Sequence, residues 1–146
     1  MAKENVCVFC GEPLSTFRST TVICGPTIQS SCKGCAKEVE TLNEEERCRR
    51  ALRLGLAKYP QTLEERLTIL TESEAHRPSC LRCGAKLRFG KSQALDNSPY
   101  RDSLLSDPFV VLPAYCKSCG KIELFDPGFI SADKFLAELL KKDTEQ

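Results

Sequence analysis

Apolar residues recur with a helical period through the middle of the chain, and the last third changes to the two-residue period of strands. Ala36 to Leu42 predicts a short helix, with Val39 and Leu42 three positions apart. Asn43 followed by Glu46 has the form of a capping box. Glu44, Glu45 and Glu46 then fill a first turn, where the helix dipole favours anions. Cys48, Ala51, Leu52, Gly55, Leu56 and Tyr59 continue at helical spacing, with Glu45–Arg49 and Glu46–Arg50 as i, i+4 pairs. Pro60 ends that helix. Thr62, with Glu65 as its capping partner, opens the next, whose Leu63, Leu67 and Leu70 share a face, and His76-Arg77-Pro78 closes it.

Strands are predicted over Lys86–Lys91, Phe109–Tyr115 and Lys121–Asp126, with a polar loop, Ser92–Pro108, between the first two. Asp126-Pro127-Gly128 reads as a turn. Ser131 is the predicted cap of a last helix carrying Phe135, Leu136, Leu139 and Leu140 on one side.

Composition sharpens this picture. The chain has 146 residues, 41% of them apolar and none of them Trp. That supports one modest core and is thin for two, so small modules here need a staple. Ten cysteines are the candidates. Met1 to Asn5 shows no basic start before an apolar run, and no apolar stretch reaches the roughly eighteen residues of a membrane span. Neither export nor membrane insertion is therefore expected. In a reducing cytoplasm, paired cysteines point to metal and not to disulfides.

Eight of the ten cysteines form Cys-x-x-Cys pairs: Cys7/Cys10, Cys32/Cys35, Cys80/Cys83 and Cys116/Cys119. Structural zinc takes four tetrahedral ligands, and four thiolates close its shell. Two sites follow, Cys7, Cys10, Cys32 and Cys35 holding one Zn²⁺ and Cys80, Cys83, Cys116 and Cys119 the other. The gaps between pairs exceed the usual spacing of about 15–20 residues, and the polar Ser92–Pro108 segment accounts for the longer one. Gly11, Gly84 and Gly120 follow three of the pairs and suit the turn, since glycine accepts positive φ. Cys35 instead runs into Ala36-Lys37-Glu38-Val39, a helix start. The first module thus reads as a treble clef, with a knuckle, a hairpin, and a knuckle entering a helix. The second, with glycine in both knuckles and strands after both, reads as a zinc ribbon. With both shells closed by cysteine, no coordination position is left for catalysis, and the chain is read as no enzyme.

Other residues have plainer readings. Cys24 and Cys48 read as core thiols, and His76 as a helix-end residue and not a ligand. Gly84 lies one residue too early before Gly90-Lys91-Ser92 for phosphate-loop spacing, so no nucleotide is expected. The formal charge is +1. Eight thiolates and two Zn²⁺ bring it to about −3, so any anion-binding surface is local. The segment Arg77–Lys91 is the candidate, with Arg77, Arg82, Lys86, Arg88 and Lys91, no acid, and Phe89 nearby.

Cys7-Val8-Phe9-Cys10-Gly11, then Ile23 and Gly25-Pro26, then Cys32-Lys33-Gly34-Cys35 give the first forty positions a likeness. They resemble the zinc-binding domain at the N-terminus of Clp-type (ClpX) unfoldases. The resemblance implies a treble clef that dimerises and recognises adaptors and substrates, with Cys7, Cys10, Cys32 and Cys35 as ligands. The family's ATPase module has no counterpart here. Cys116-Lys117-Ser118-Cys119-Gly120-Lys121, followed by Ile122-Glu123-Leu124-Phe125, resembles the closing knuckle and strand of uncharacterised bacterial zinc-ribbon proteins.

The expectation is an α+β protein of zinc-stabilised modules. They are a treble clef with its following helix over 1–59, a helical connector over 60–78, a zinc ribbon over 79–130 and a C-terminal helix over 131–146. The expected function is non-catalytic binding of a protein partner or of a second copy, a homodimer included. The alternative is a nucleic-acid-binding zinc ribbon using Arg77–Lys91.

Overall fold

Val22 and Cys24 alternate with Thr21 and Ile23, and the alternation decides which face of the first hairpin is buried. The computed structural model describes residues 5–95 and 109–145. In it β1 (Ser19–Cys24) pairs antiparallel with β2 (Thr27–Cys32), from Ser19 opposite Cys32 to Cys24 opposite Thr27. The inner face holds Val22, Cys24, Gln29 and Ser31, all buried, while Ile23 and Ile28 lie opposite each other on the exposed face. Three helices follow: α1 (Lys33–Glu40), α2 (Glu44–Leu52) and α3 (Pro60–Glu72). Their Val39, Cys48, Ala51 and Leu63 join Cys7, Val8 and Phe9 in one core. Asn43 caps α2 as predicted, its Oδ1 accepting from the Glu46 N–H at 2.9 Å.

The second half begins with a 3-10 turn at Ser73–His76, followed by β3 (Arg88–Phe89), β4 (Gln93–Leu95), β5 (Phe109–Tyr115) and β6 (Ile122–Phe125). The other three strands all pair antiparallel with β5. Two helices, α4 (Pro127–Ala132) and α5 (Lys134–Thr144), contribute Ile130 and Leu139 to a core with Leu87, Phe89, Leu112 and Ala114.

Several predicted boundaries move, each for a physical reason. α2 stops at Leu52 and does not run to Tyr59. The side chain of Gln29, itself buried, accepts from the Lys58 N–H and donates to the Lys58 C=O, both at 2.9 Å, holding that segment off the helical path. α3 opens at Pro60 and not at Thr62, since a first-turn proline loses no intrahelical bond. The Asp126–Gly128 turn is the start of α4, with Asp126 Oδ1 accepting from the Gly128 N–H at 2.7 Å. Asp133, and not Ser131, caps α5 by accepting from the N–H groups of Phe135 and Leu136. Ser131 lies inside α4 and donates to the Pro127 carbonyl. The strand expected over Lys86–Lys91 is confined to β3. Within Ser92–Pro108, Gln93–Leu95 forms β4, and positions 96–108 lie outside the described residues.

The chain divides into two compact units, Met1–Thr71 and Glu72–Gln146. No separate connector lies over 60–78. Leu63 is fully buried in the first core, and Arg77 is buried in the second unit. Nor is 131–146 a body of its own, because Leu139 of α5 is part of the second core. An apolar helix face is stable when covered, so each amphipathic segment joins the nearest core.

Candidate metal centres

Three of the four Cys-x-x-Cys pairs share one backbone turn. In each, the first cysteine's carbonyl accepts from the glycine N–H four residues on: Gly11 to Cys7 at 2.8 Å, Gly84 to Cys80 at 2.8 Å and Gly120 to Cys116 at 2.9 Å. The N–H of that cysteine donates one residue further along, to the carbonyl of Glu12, Ala85 or Lys121 at 2.7 to 2.9 Å. The closing residue needs positive φ, and the three glycines have φ of 78°, 73° and 73°. The turn presents both sulfurs of the pair on one side.

The fourth pair is built differently, as Ala36 foretold. α1 starts between its two cysteines, at Lys33, so Cys32 is the N-cap and its sulfur accepts from the Cys35 N–H at 3.5 Å. Here the helix N-terminus supplies the donor that a glycine turn supplies elsewhere.

The eight sulfurs gather into two groups, Cys7, Cys10, Cys32 and Cys35, and Cys80, Cys83, Cys116 and Cys119. Within each group every sulfur lies within 4.8 Å of the others. Cys10 and Cys32 are 4.0 Å apart, Cys80 and Cys119 3.7 Å, and Cys83 and Cys116 3.4 Å. A tetrahedral shell with Zn–S bonds near 2.3 Å has sulfur–sulfur edges of about 3.8 Å. A disulfide would need about 2.05 Å, and all ten cysteines are free thiols. Each group therefore fits one tetrahedral ion of zinc's size.

The electrostatics ask for a cation. Burial opposes ionisation of Cys7, yet backbone hydrogen bonds at Cys32, Phe9 and Cys10 outweigh it and bring the thiol down to about 6. At Cys116 the backbone hydrogen bond at Cys119 dominates over burial, with the same result, about 6. The companions move the other way. Burial, then the sulfurs of Cys32, Cys10 and Cys7, push Cys35 up. At Cys119 a backbone hydrogen bond at Lys121 works downward, but burial and the three neighbouring sulfurs push the thiol up to about 11. Cys7 and Cys116 thus ionise readily, while Cys35 and Cys119 do so only with a positive charge beside them.

The chain matches no known protein family, no curated protein and no solved structure. Its functional reading therefore rests on these two centres and the surfaces around them.

The remaining chemistry-bearing residues have partners or burial within their own unit. Cys24 and Cys48 are fully buried core residues, and burial raises the thiol of each, that of Cys24 to about 11. His76 belongs to neither group and stacks on Phe135, ring centres 4.0 Å apart and planes 5° from parallel. The basic Arg77–Lys91 segment is largely consumed inside its own unit. Arg77 is buried, bonded through its guanidinium to Asp143, Glu74 and the Leu87 carbonyl. Lys86 donates to the Arg77 carbonyl at 3.0 Å, and Arg88 reaches Asp143 at 3.1 Å. Three of the five cations thus have protein partners, which accounts for them without an external anion.

Four supporting residues escaped sequence reasoning. Glu123 on β6 accepts from the Leu81 N–H inside the third knuckle at 2.9 Å, and that bond, helped by Lys121, holds its carboxyl below the usual range. Ser31 is buried with its Oγ 3.8 Å from the Cys7 sulfur. Gln29 and Asp143 anchor distant backbone. Glu123 and Ser31 carry a signal in hindsight, being polar residues at strand positions next to metal ligands. Gln29 and Asp143 carry none, because their partners are far away in sequence.

Proposed function

We propose that the chain is a non-catalytic interaction protein whose two cysteine shells each hold one Zn²⁺ as a cross-link. When bound, the ion supplies charge neutralisation and folding energy, on the order of 10 kcal/mol per site. On this reading the first unit is a treble clef and the second a zinc ribbon. Each then exists to present a surface.

The observation that carries the reading is the sheet of the second unit. Along β5, Phe109, Val111, Pro113 and Tyr115 alternate with core-facing Leu112 and Ala114; of these four, Val111 and Pro113 are buried, and Phe109 and Tyr115 are exposed. Tyr115 lies opposite Ile122, Pro113 opposite Leu124, and Phe109 opposite Leu95. On that outer face Phe109 is 63% exposed, Ile122 54% and Leu124 59%. An ordered apolar sheet face of this kind is the mark of a protein–protein contact. The likeness of the first forty positions to a domain that dimerises and recognises adaptors supports the same reading.

The test is a solution mass of the metal-loaded protein together with capture of partners on immobilised chain. Association, with itself or a partner, should be lost in Ile122→Lys/Leu124→Lys while bound zinc stays at two ions per chain. A monomer that captures no protein, or a variant that associates like the parent, would refute it.

A further inference from the structure

A cavity of about 820 Å³ opens in the first unit between Val6 and Val8 on one side and Leu56 to Gln61 on the other, with Ser30 between them. That volume lies in the range of ligand sites, about 300–1,000 Å³. Its walls are apolar at Val6, Val8, Leu56 and Ala57. Among the described residues the charge on its rim has one sign, since Lys58 lines the cavity and no acid does. The ammonium of Lys58 and the hydroxyl of Tyr59 have no partner among the described residues.

The rim is built at a cost. Tyr59 sits at φ 56°, which a non-glycine residue rarely adopts and which the following proline further disfavours. Its ring is nonetheless 70% exposed, so no packing of its own repays the strain. Buried Gln29 holds the conformation, through its two hydrogen bonds to the Lys58 backbone. Strain kept in place by a buried polar clamp is characteristic of binding sites. Two further donors face the same space. α3 begins at Pro60, which has no N–H, and Gln61 on the cavity wall, so the Gln61 N–H and the positive dipole end add to Lys58. The Ser30 carbonyl accepts from the Val8 N–H at 3.0 Å. Both polar backbone groups of a strand residue point to the same edge, so the Ser30 N–H faces this edge too, without a backbone partner among the described residues.

We infer that this cavity binds the C-terminus of an extended peptide. The carboxylate lies at Lys58 and the start of α3, the last side chain is apolar and rests among Val6, Val8 and Leu56, and the peptide backbone meets the Ser30 edge. The inference rests on the reading of the chain as an interaction protein but uses a different surface from the β5–β6 face.

The test uses zinc-loaded full-length chain and three probes. They are a fluorescein-labelled pentapeptide ending in leucine with a free carboxylate, the same peptide as its C-terminal amide, and N-acetyl-leucine as competitor. Anisotropy should show the acid binding at least ten-fold more tightly than the amide, with N-acetyl-leucine competing weakly. Lys58→Met should erase the preference for the acid. Tyr59→Gly, which adopts φ 56° without strain and so keeps the fold, should weaken both peptides. Two zinc ions per chain in each variant verify the fold. Equal binding of acid and amide, binding of neither, or an unchanged preference in Lys58→Met overturns the inference. N-acetyl-leucine binding as tightly as the peptide acid also overturns it, in favour of a small carboxylate. Because Ile122→Lys/Leu124→Lys leaves this cavity intact, loss of association there with retained peptide binding, or the reverse, separates the two proposals.

Discussion

The two units face the same problem, too little core for too many residues, and each gathers four sulfurs of its own, but they are completed differently. In the first unit the second cysteine pair opens a helix. Cys32 caps α1, and the core beneath holds Val39, Leu63 and the thiols of Cys24 and Cys48. In the second unit both pairs are glycine turns leading into strands, and the helix that covers the sheet is tied by charge. Asp143 at the end of α5 bonds Arg77, Arg88 and the Phe89 N–H at once. The four-cysteine group is thus common to both, while the surrounding support is apolar in one unit and partly ionic in the other. A ligand shell sets where four residues meet, and it leaves open how the rest of a small module is held.

That comparison can be broken, most forcefully at the metal. Cys7→Ser should unfold the first unit and Cys116→Ser the second, each removing on the order of 10 kcal/mol of metal-linked folding energy. Amide dispersion in two-dimensional NMR, read unit by unit, checks this. A chain that keeps all its dispersion in excess chelator would show that neither unit depends on its sulfurs.

Next in size is the ionic tie. Asp143→Asn leaves the Arg77 guanidinium buried with part of its charge uncompensated, and should cost about 3–5 kcal/mol in the second unit by urea unfolding. The first unit's nearest analogue, Arg66 with Glu44, is more open to solvent, with side chains 17% and 28% exposed. Glu44→Gln should therefore cost below about 1 kcal/mol. Comparable losses from the two changes would erase the distinction drawn between the units.

The same carboxylate makes the contrast sensitive to pH. Burial works against ionisation of Asp143, but Arg77, the Phe89 N–H and Arg88 prevail and hold its pKa below the ordinary value. A depressed folded-state pKa contributes stability that is complete above the unfolded value, about 3.9, and is lost as pH falls through the folded one. The stability gap between parent and Asp143→Asn should stay constant above about pH 5 and narrow in stronger acid. Thiolate protonation acts on both proteins alike and cancels in the difference. A gap that widens toward acid would contradict the assignment.

The smallest effect separates the two ways of making a knuckle. Gly120→Ala places a side chain at φ 73° and should destabilise the second unit by about 1 kcal/mol. Gly34 lies inside α1 with open space where a Cβ would go, and Gly34→Ala should stabilise the first unit by about 0.5–1 kcal/mol. Thermal unfolding of the zinc-loaded variants, at fixed free zinc, gives both signs.

Much of this was legible from local pattern. The pairing of the eight cysteines, the glycine turns, the helix entered by Cys35 and the cap at Asn43 each depend on residues within a few positions of one another, where backbone sterics and capping chemistry act directly. The core roles of Cys24 and Cys48 followed from small apolar residues at strand and helix spacing. Where the reading failed, a distant partner had intervened. The helix expected to reach Tyr59 ends at Leu52, with Gln29 bound to the backbone of Lys58, 29 positions further along the chain. The partners of Arg77 and Arg88 in the basic run were equally illegible, since Asp143 comes from the end of α5. Even the division of the chain turned on which core covered the apolar face of α3.

Sequence alone therefore determined the four cysteine pairs and the turns that present them, because each turn is set by residues only a few positions apart. Tertiary structure alone decided where charge is neutralised, which surfaces remain open and where one unit stops. Those outcomes depend on long-range burial, and a buried amide or carboxylate takes its partners from whatever the fold brings within about 3 Å, however far apart in the chain.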